Sequence, residues 1–144
     1  MSQPAAIPPA VFEHGLRVYW EDTDAGGIVF YANYLKFFER ARTEWLRACG
    51  HEQEALRREH GLMFVVAHTA VNYRAPARLD DWIVVDVQVV QAARASLVVE
   101  QRAWRVAGDA PRVLLADGSI RIGCVDVAHL RPQRIPSELI DTLR

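Results

Sequence analysis

The chain has 144 residues, of which 51% are apolar and 24% charged, an ordinary mix for one domain with a core of its own. A net charge of −1 gives no basic footprint for nucleic acid. No apolar run is long enough to span a membrane, so membrane association, if any, would be peripheral and nothing in the sequence indicates it.

The first residues, Met1 to Ala10, lack a basic stretch followed by an apolar core, so no signal peptide is expected. Three of the seven prolines fall there (Pro4, Pro8, Pro9), and a flexible arm over residues 1–15 is expected ahead of a single domain over 16–144. Leu16 to Trp20 reads as a short strand. It feeds a loop with three carboxylates, Glu21, Asp22 and Asp24, and two glycines, Gly26 and Gly27. A long amphipathic helix follows. Tyr31, Tyr34, Leu35, Phe38, Ala41, Arg42, Trp45, Leu46 and Cys49 recur at three- and four-residue steps, which puts them on one face. Gly50 is placed to end it in a left-handed conformation.

His51 to His60 reads as a short polar helix stopped by Gly61. Strands are expected over Leu62–Arg74, Trp82–Ala92, Ala95–Val106 and Arg112–Val127. In the second of these, Ile83, Val85, Val87 and Val89 share one face, with Asp86 on the other. In the last, Asp117-Gly118 is a hairpin signal. It is rejected, because Leu114, Ala116, Gly118, Ile120, Ile122 and Cys124 keep one apolar phase through it. A bulge, or a glycine making room for a neighbour, fits better. Ser137 is placed to cap a last turn of helix. One long helix and about five consecutive strands with short links define an α+β class with an antiparallel sheet. Cys49 and Cys124 read as reduced, partly buried thiols of a cytoplasmic protein.

The acidic loop admits two readings from its residues alone. Its acids are solvated, with Asp22 or Asp24 making a local turn or capping the helix; or one of them is catalytic. A metal site lacks a histidine in the loop, and a phosphate cradle lacks a cation. For catalysis, the free N–H groups near Phe30 to Asn33 would hold the oxygen of a polarised carbonyl. A neighbouring carboxylate would attack that carbonyl or draw a proton from water.

The stretch Arg17-Val18-x-x-Glu-Asp-Thr-Asp24-Ala-Gly-Gly27-Ile-Val-x-Tyr31-x-Asn33-Tyr34, with Glu39-Arg40-Ala41-Arg42 and Glu44-Trp45-Leu46-Arg47, closely resembles the hot-dog-fold acyl-CoA thioesterases of the 4-hydroxybenzoyl-CoA thioesterase type. Within them it is most similar to the Tol-Pal-associated, YbgC-like branch. Val71-x-Tyr73-x-Ala75-Pro76-Ala77-Arg78-Leu79-Asp80-Asp81, Ser96-Leu97-Val98 and Ile120 to Asp126 agree, so the resemblance spans roughly residues 16–136. It implies a sheet of about five strands wrapped around one central helix, and subunits paired edge to edge as a homodimer or homotetramer with active sites at the interface. It implies hydrolysis of an acyl-CoA thioester to free CoA and a carboxylic acid, without metal or bound cofactor. Asp24 matches the family's catalytic aspartate, and Tyr31, or its immediate neighbour, matches the position whose backbone N–H receives the thioester oxygen. Gly27, Asn33, Arg94 and Ser96 are candidate substrate-binding residues, with Arg121 and Arg131 weaker candidates for CoA phosphates. Acyl carrier protein is a further candidate partner. Many YbgC-like members carry histidine where this chain has Tyr31. A tyrosine hydroxyl does not serve as a neutral-pH base as imidazole does, so Asp24 is left as the base or nucleophile. Glu39 reads as structural and His68 as a core or interface residue. The alternative is a non-catalytic hot-dog module that binds acyl-CoA or acyl carrier protein.

Overall fold

The structure, a computed structural model, describes residues 11–143. Five antiparallel strands form one sheet: β1 (Phe12–Arg17), β2 (Leu62–Tyr73), β3 (Trp82–Ala92), β4 (Ser96–Val106) and β5 (Val113–Asp126), in the order β1-β3-β4-β5-β2. The long helix α1 (Asn33–Ala48) lies against this sheet, joined to β2 by α2 (Gln53–His60), and α3 (Ser137–Leu143) closes the chain. This is the sheet-around-a-helix arrangement that the motif resemblance implies.

The expected arm lies outside the described residues over 1–10. Over Phe12–Gly15 it is replaced by strand, because these residues pair with Val87 to Val84 of β3. The first strand therefore ends at Arg17 rather than Trp20, and Trp20–Asp22 form a single 3-10 turn. That pairing is non-local and leaves little trace in a six-residue pattern.

The buried face of α1 is Tyr34, Phe37, Phe38, Ala41, Trp45 and Leu46. Phe37, missing from the expected face, is fully buried, whereas Tyr31 and Leu35 are 62% and 46% exposed. The helix starts only at Asn33, so Tyr31 lies ahead of it, and Leu35 falls on its open flank. Each fully buried phenylalanine contributes about 1.5–3 kcal/mol of apolar burial. Gly50, at φ +88, ends the helix as expected, and Gly61, at φ +64, ends α2.

Asp117 and Gly118 lie within an unbroken β5, as the apolar phase required. A Cβ at Gly118 would meet the Phe38 ring at 3.0 Å and the Ala70 carbonyl at 3.4 Å, so this glycine makes room for the central helix. The phase does slip nearby. Ala103 pairs with Ala116 and Trp104 with Leu114, leaving Leu115 as the extra residue, fully buried in place of Leu114. A second irregularity falls between Val66 and His68 of β2. Asp86 and Gln101 are buried polar residues. Asp86 accepts from the Arg102 backbone at 2.7 Å and from Trp104 Nε1 at 3.2 Å, which satisfies a carboxylate the alternation had placed on an open face. β2 is an edge strand among the described residues, and Val66 to Ala70 are exposed along it.

Candidate active site

The acidic loop hangs from the sheet by backbone bonds. Val18 donates to the Asp81 carbonyl at 2.9 Å, Asp80 to that of Val18 at 3.0 Å, and Val29 to that of Ala77 at 2.9 Å. Between these anchors Asp24 N–H donates to the Ile28 carbonyl at 2.9 Å and Gly27 N–H to that of Asp24 at 3.0 Å, a tight turn in which Gly27 takes φ +80. Only glycine adopts that conformation without strain.

The three acids have different surroundings. Asp22 accepts the Tyr19 N–H on its carboxylate at 2.8 Å, and its carbonyl accepts both Phe30 N–H and Asn33 Nδ2, each at 2.9 Å. It is the staple that joins the loop to α1. Glu21 is exposed. Asp24 is exposed as well, and its carboxylate accepts the Gly26 N–H at 2.8 Å. It faces a depression lined by Trp20, Thr23, Ala25, Gly27 and Leu79. Neither Asp22 nor Asp24 caps α1, whose first residue is preceded by Ala32 without a side-chain cap.

Four N–H groups at the helix start were expected to be free. Phe30 N–H is spent on Asp22, and Asn33 N–H donates to the Phe30 carbonyl at 2.8 Å. Those of Tyr31 and Ala32 have no acceptor among the described residues. These two donors, with the positive end of the α1 dipole behind them, are suited to a developing oxyanion. Asn33, a candidate substrate contact, instead gives its amide nitrogen to the Asp22 carbonyl and holds the loop.

Aromatic rings surround the free donors. Tyr31 meets Phe30 at 5.0 Å and Tyr73 edge-on at 5.9 Å, and Tyr34 meets Tyr73 at 5.7 Å. Burial, with Tyr73 alongside, pushes the Tyr34 hydroxyl up to about 12, so it stays neutral. Trp20, 82% exposed, and Leu79, 42% exposed, were missed as lining residues. Both lie inside the quoted motifs, and their exposure was the signal that periodicity does not carry.

Arg94 and Ser96 are not brought to this loop. They lie at the turn between β3 and β4, where Ala93 N–H donates to the Ser96 carbonyl at 2.8 Å and the Arg94 carbonyl accepts Ile135 N–H at 2.9 Å. The loop meets the sheet at the other end of β3, beside Trp82, so the length of an 11-residue strand, roughly 35 Å, separates them in one chain. Arg121 and Arg131 are exposed. His68 is exposed on the β2 edge, not in the core. Among the described residues no three His, Cys, Asp or Glu side chains gather in a way that could hold a metal ion. Burial raises the thiol pKa of both Cys49 and Cys124, which suits packing rather than nucleophilic attack.

A family model described as the thioesterase superfamily matches residues 26–111. The chain is 41% identical over 128 residues to the acyl-CoA thioesterase YbgC of Haemophilus influenzae, covering 89% of this chain and 90% of the relative. It is 40% identical over 130 residues to the acyl-CoA thioester hydrolase YbgC of Escherichia coli O6:H1, covering 90% and 93%. A solved structure of a mutant 4-hydroxybenzoyl CoA thioesterase complexed with 4-hydroxybenzoyl CoA superposes with a TM-score of 0.87 at 18% identity, over 93% of this chain and 99% of the other, and bears on the fold alone.

Proposed function

This chain belongs to the thioesterase superfamily, and from that premise we propose how its residues divide the hydrolysis of an acyl-CoA thioester. The protein is an enzyme, a thioester hydrolase acting on acyl-CoA. Asp24 is its nucleophile or general base, and the N–H groups of Tyr31 and Ala32 receive the thioester oxygen. As nucleophile, the carboxylate attacks the carbonyl carbon, the C–S bond breaks, CoA leaves as thiolate and takes up a proton, and water cleaves the resulting mixed anhydride. As base, Asp24 takes the proton from the attacking water. Either route uses one carboxylate and one pair of donors, and calls for no metal or bound cofactor. The single observation that carries this reading is the pair of unspent N–H groups at the α1 start, on the same anchored loop as a carboxylate held in place by Gly26.

The assembly belongs to the same reading. Among the described residues β2 offers a long unpaired edge, and antiparallel pairing of β2 with its copy reverses the ends of the second sheet. The copy's Arg94 turn then lies toward the loop that bears Asp24, where a guanidinium would meet CoA phosphates. A homodimer is therefore the smallest complete unit, with a second pairing giving a tetramer. Gly27 would let substrate backbone or pantetheine pass close, and Ser96 would lie beside the partner's bound CoA. A cytoplasmic location rests on reading Cys49 and Cys124 as reduced thiols, and association with the Tol-Pal system and an acyl carrier protein partner rest on the motif resemblance; no helix of the described residues is long and apolar enough to cross a membrane.

The test is release of free CoA from a panel of acyl-CoA thioesters, followed with a thiol reagent. Turnover of at least one thioester that is lost in Asp24→Asn is the expected result. Tight binding across the panel with no turnover would replace the hydrolase by a binding module.

A further inference from the structure

A trough runs between α1 and β2 that the reaction as described leaves unused. Near the first turns of α1 it is walled by Leu35, Phe38 and Ile120; toward the last turns, by Leu46, Phe64 and Ile122. Glu39, Arg42 and Val66 line both halves. The trough opens one turn beyond the Tyr31 and Ala32 donors, and from Leu35 to Arg42 the helix advances about 10 Å. An acyl group whose carbonyl oxygen sits on those donors therefore has a largely apolar channel ahead of it, with Lys36 near its start and Glu39 and the Arg42 guanidinium midway.

That guanidinium is held deliberately. Arg42 Nη1 donates to Gln101 Oε1 at 2.9 Å. Gln101 is fully buried, and its Nε2 donates to the Phe38 carbonyl at 3.0 Å and the Asp86 carbonyl at 3.3 Å. Those two bonds fix which end of the amide faces Arg42. Glu39, one turn before, accepts the Thr43 hydroxyl on its carboxylate at 2.8 Å, and it makes no direct ion pair with Arg42. A guanidinium carries five N–H donors, and one of them is engaged. Burial of the guanidinium outweighs the pull of the nearby Glu39 charge and makes its charged form costly, and an oxygen acceptor arriving along the trough would offset that cost.

We propose that Arg42, positioned by Gln101, selects acyl groups that end on an oxygen acceptor, a hydroxyl or a carboxylate, about one medium chain's length from the thioester. This rests on acyl-CoA hydrolysis at Asp24 and names the substrate class of that site.

The test compares hexanoyl-, ω-hydroxyhexanoyl- and adipoyl-CoA, and octanoyl- and suberoyl-CoA, as substrates of the full-length protein. Oxygen-ended thioesters should exceed methyl-ended ones of equal length by about tenfold or more in kcat/KM, the size expected of a charge-assisted bond. The hydroxyl and carboxylate arms identify which acceptor is read. Arg42→Met should collapse that ratio toward one, chiefly through KM, and Arg42→Lys should restore part of it. Equal treatment of the equal-length thioesters by the wild-type protein overturns the proposal. So does a uniform loss on all five in Arg42→Met, above all one accompanied by dissociation of the subunits, which would assign Arg42 to a subunit contact. If no thioester is turned over, the hydrolysis reading falls by itself, and the same ratio measured by equilibrium binding decides the role of Arg42.

Discussion

Gly26 donates its backbone N–H to the Asp24 carboxylate at 2.8 Å, and a Cβ on Gly26 would stand 3.2 Å from that same oxygen. The glycine thus aims the carboxylate and leaves it room. Asp24→Asn keeps an acceptor for this bond but loses the base, so kcat should fall about a thousandfold, within the usual range for acid–base groups. Stability should move by less than about 0.5 kcal/mol, because the side chain is exposed. Gly26→Ala should displace the carboxylate by a few tenths of an ångström and cost roughly tenfold in kcat. Steady-state kinetics beside thermal melts of both variants check this; near-wild-type turnover by Asp24→Asn would remove Asp24 from the mechanism.

In the proposed mechanism Tyr31 contributes through its backbone. Tyr31→Phe keeps the N–H and most of the edge-on contact with Tyr73, so kcat should change only a few-fold. Tyr31→Pro deletes the donor and should cost about a hundredfold or more, the size seen when one oxyanion donor is removed. Circular dichroism should show α1, which begins two residues later, retained in both variants. Equal losses in the two variants would assign the function to the ring instead.

Gly118 tests the seat of the central helix. Phe38 is fully buried and stands 3.0 Å from the position of a Cβ there, so Gly118→Ala forces the ring or the strand to move. Overpacking of this kind costs about 1–3 kcal/mol, a drop of several degrees in Tm for a domain of this size. Gly123→Ala on the same strand is the control, since its nearest neighbour would be an ordinary 3.8 Å away. Matching Tm values for the two variants would contradict the close approach.

Much of this was legible in the residues. The apolar rhythm of α1 and the continuity of β5 through Asp117-Gly118 follow from spacing; the long motif singles out Asp24 among three acids as the candidate that the kinetics above test. What spacing could not give is pairing. Phe12–Gly15 become strand only because β3 lies alongside, and Leu115 replaces Leu114 in the core only because a bulge in the β4–β5 pair shifts the phase. Asn33 looked like a ligand contact because it stands in the motif, yet its amide is drawn to the carbonyl of Asp22, eleven residues back. Gln101 gave no sign of its burial, since a glutamine in an alternating strand reads as surface until the helix carbonyl of Phe38 is placed above it.

Acid should weaken the β2–β5 edge through Asp117. Bonds from Arg74 Nε at 2.7 Å and Asn72 Nδ2 at 3.0 Å hold its carboxyl below the usual carboxylate range. The folded chain therefore binds this proton less readily than the unfolded chain. The stabilisation is complete above the ordinary aspartate value of ~3.9 and is lost as pH falls through the depressed one. Asp117→Asn should flatten the fall of stability below about pH 4, measured by urea unfolding at a series of pH values. The pair is partly exposed, so the effect is modest and shrinks with added salt. An unchanged acid limb in the variant would show that other carboxylates set it.

Arg94 and Asp24 stand at opposite ends of one sheet, and that separation makes assembly testable through catalysis. Ala70 is exposed on the β2 edge, and a lysine there, like the charges that guard natural edge strands, should block pairing with a second copy while leaving the fold intact. Ala70→Lys should sediment as a monomer, and its KM for CoA thioesters should rise as the partner's guanidinium is lost. Arg94→Ala should stay assembled and raise KM for CoA thioesters by about tenfold, the loss of one charge-assisted phosphate contact. Thioesters of pantetheine, which lack those phosphates, should be affected far less. Because the contact is ionic, the wild-type advantage for CoA over pantetheine should also shrink as salt is raised. An Ala70→Lys protein that remains associated would move the interface away from β2. An Arg94→Ala loss of equal size on pantetheine thioesters would take Arg94 out of phosphate recognition, and with it the requirement that the second subunit complete the site.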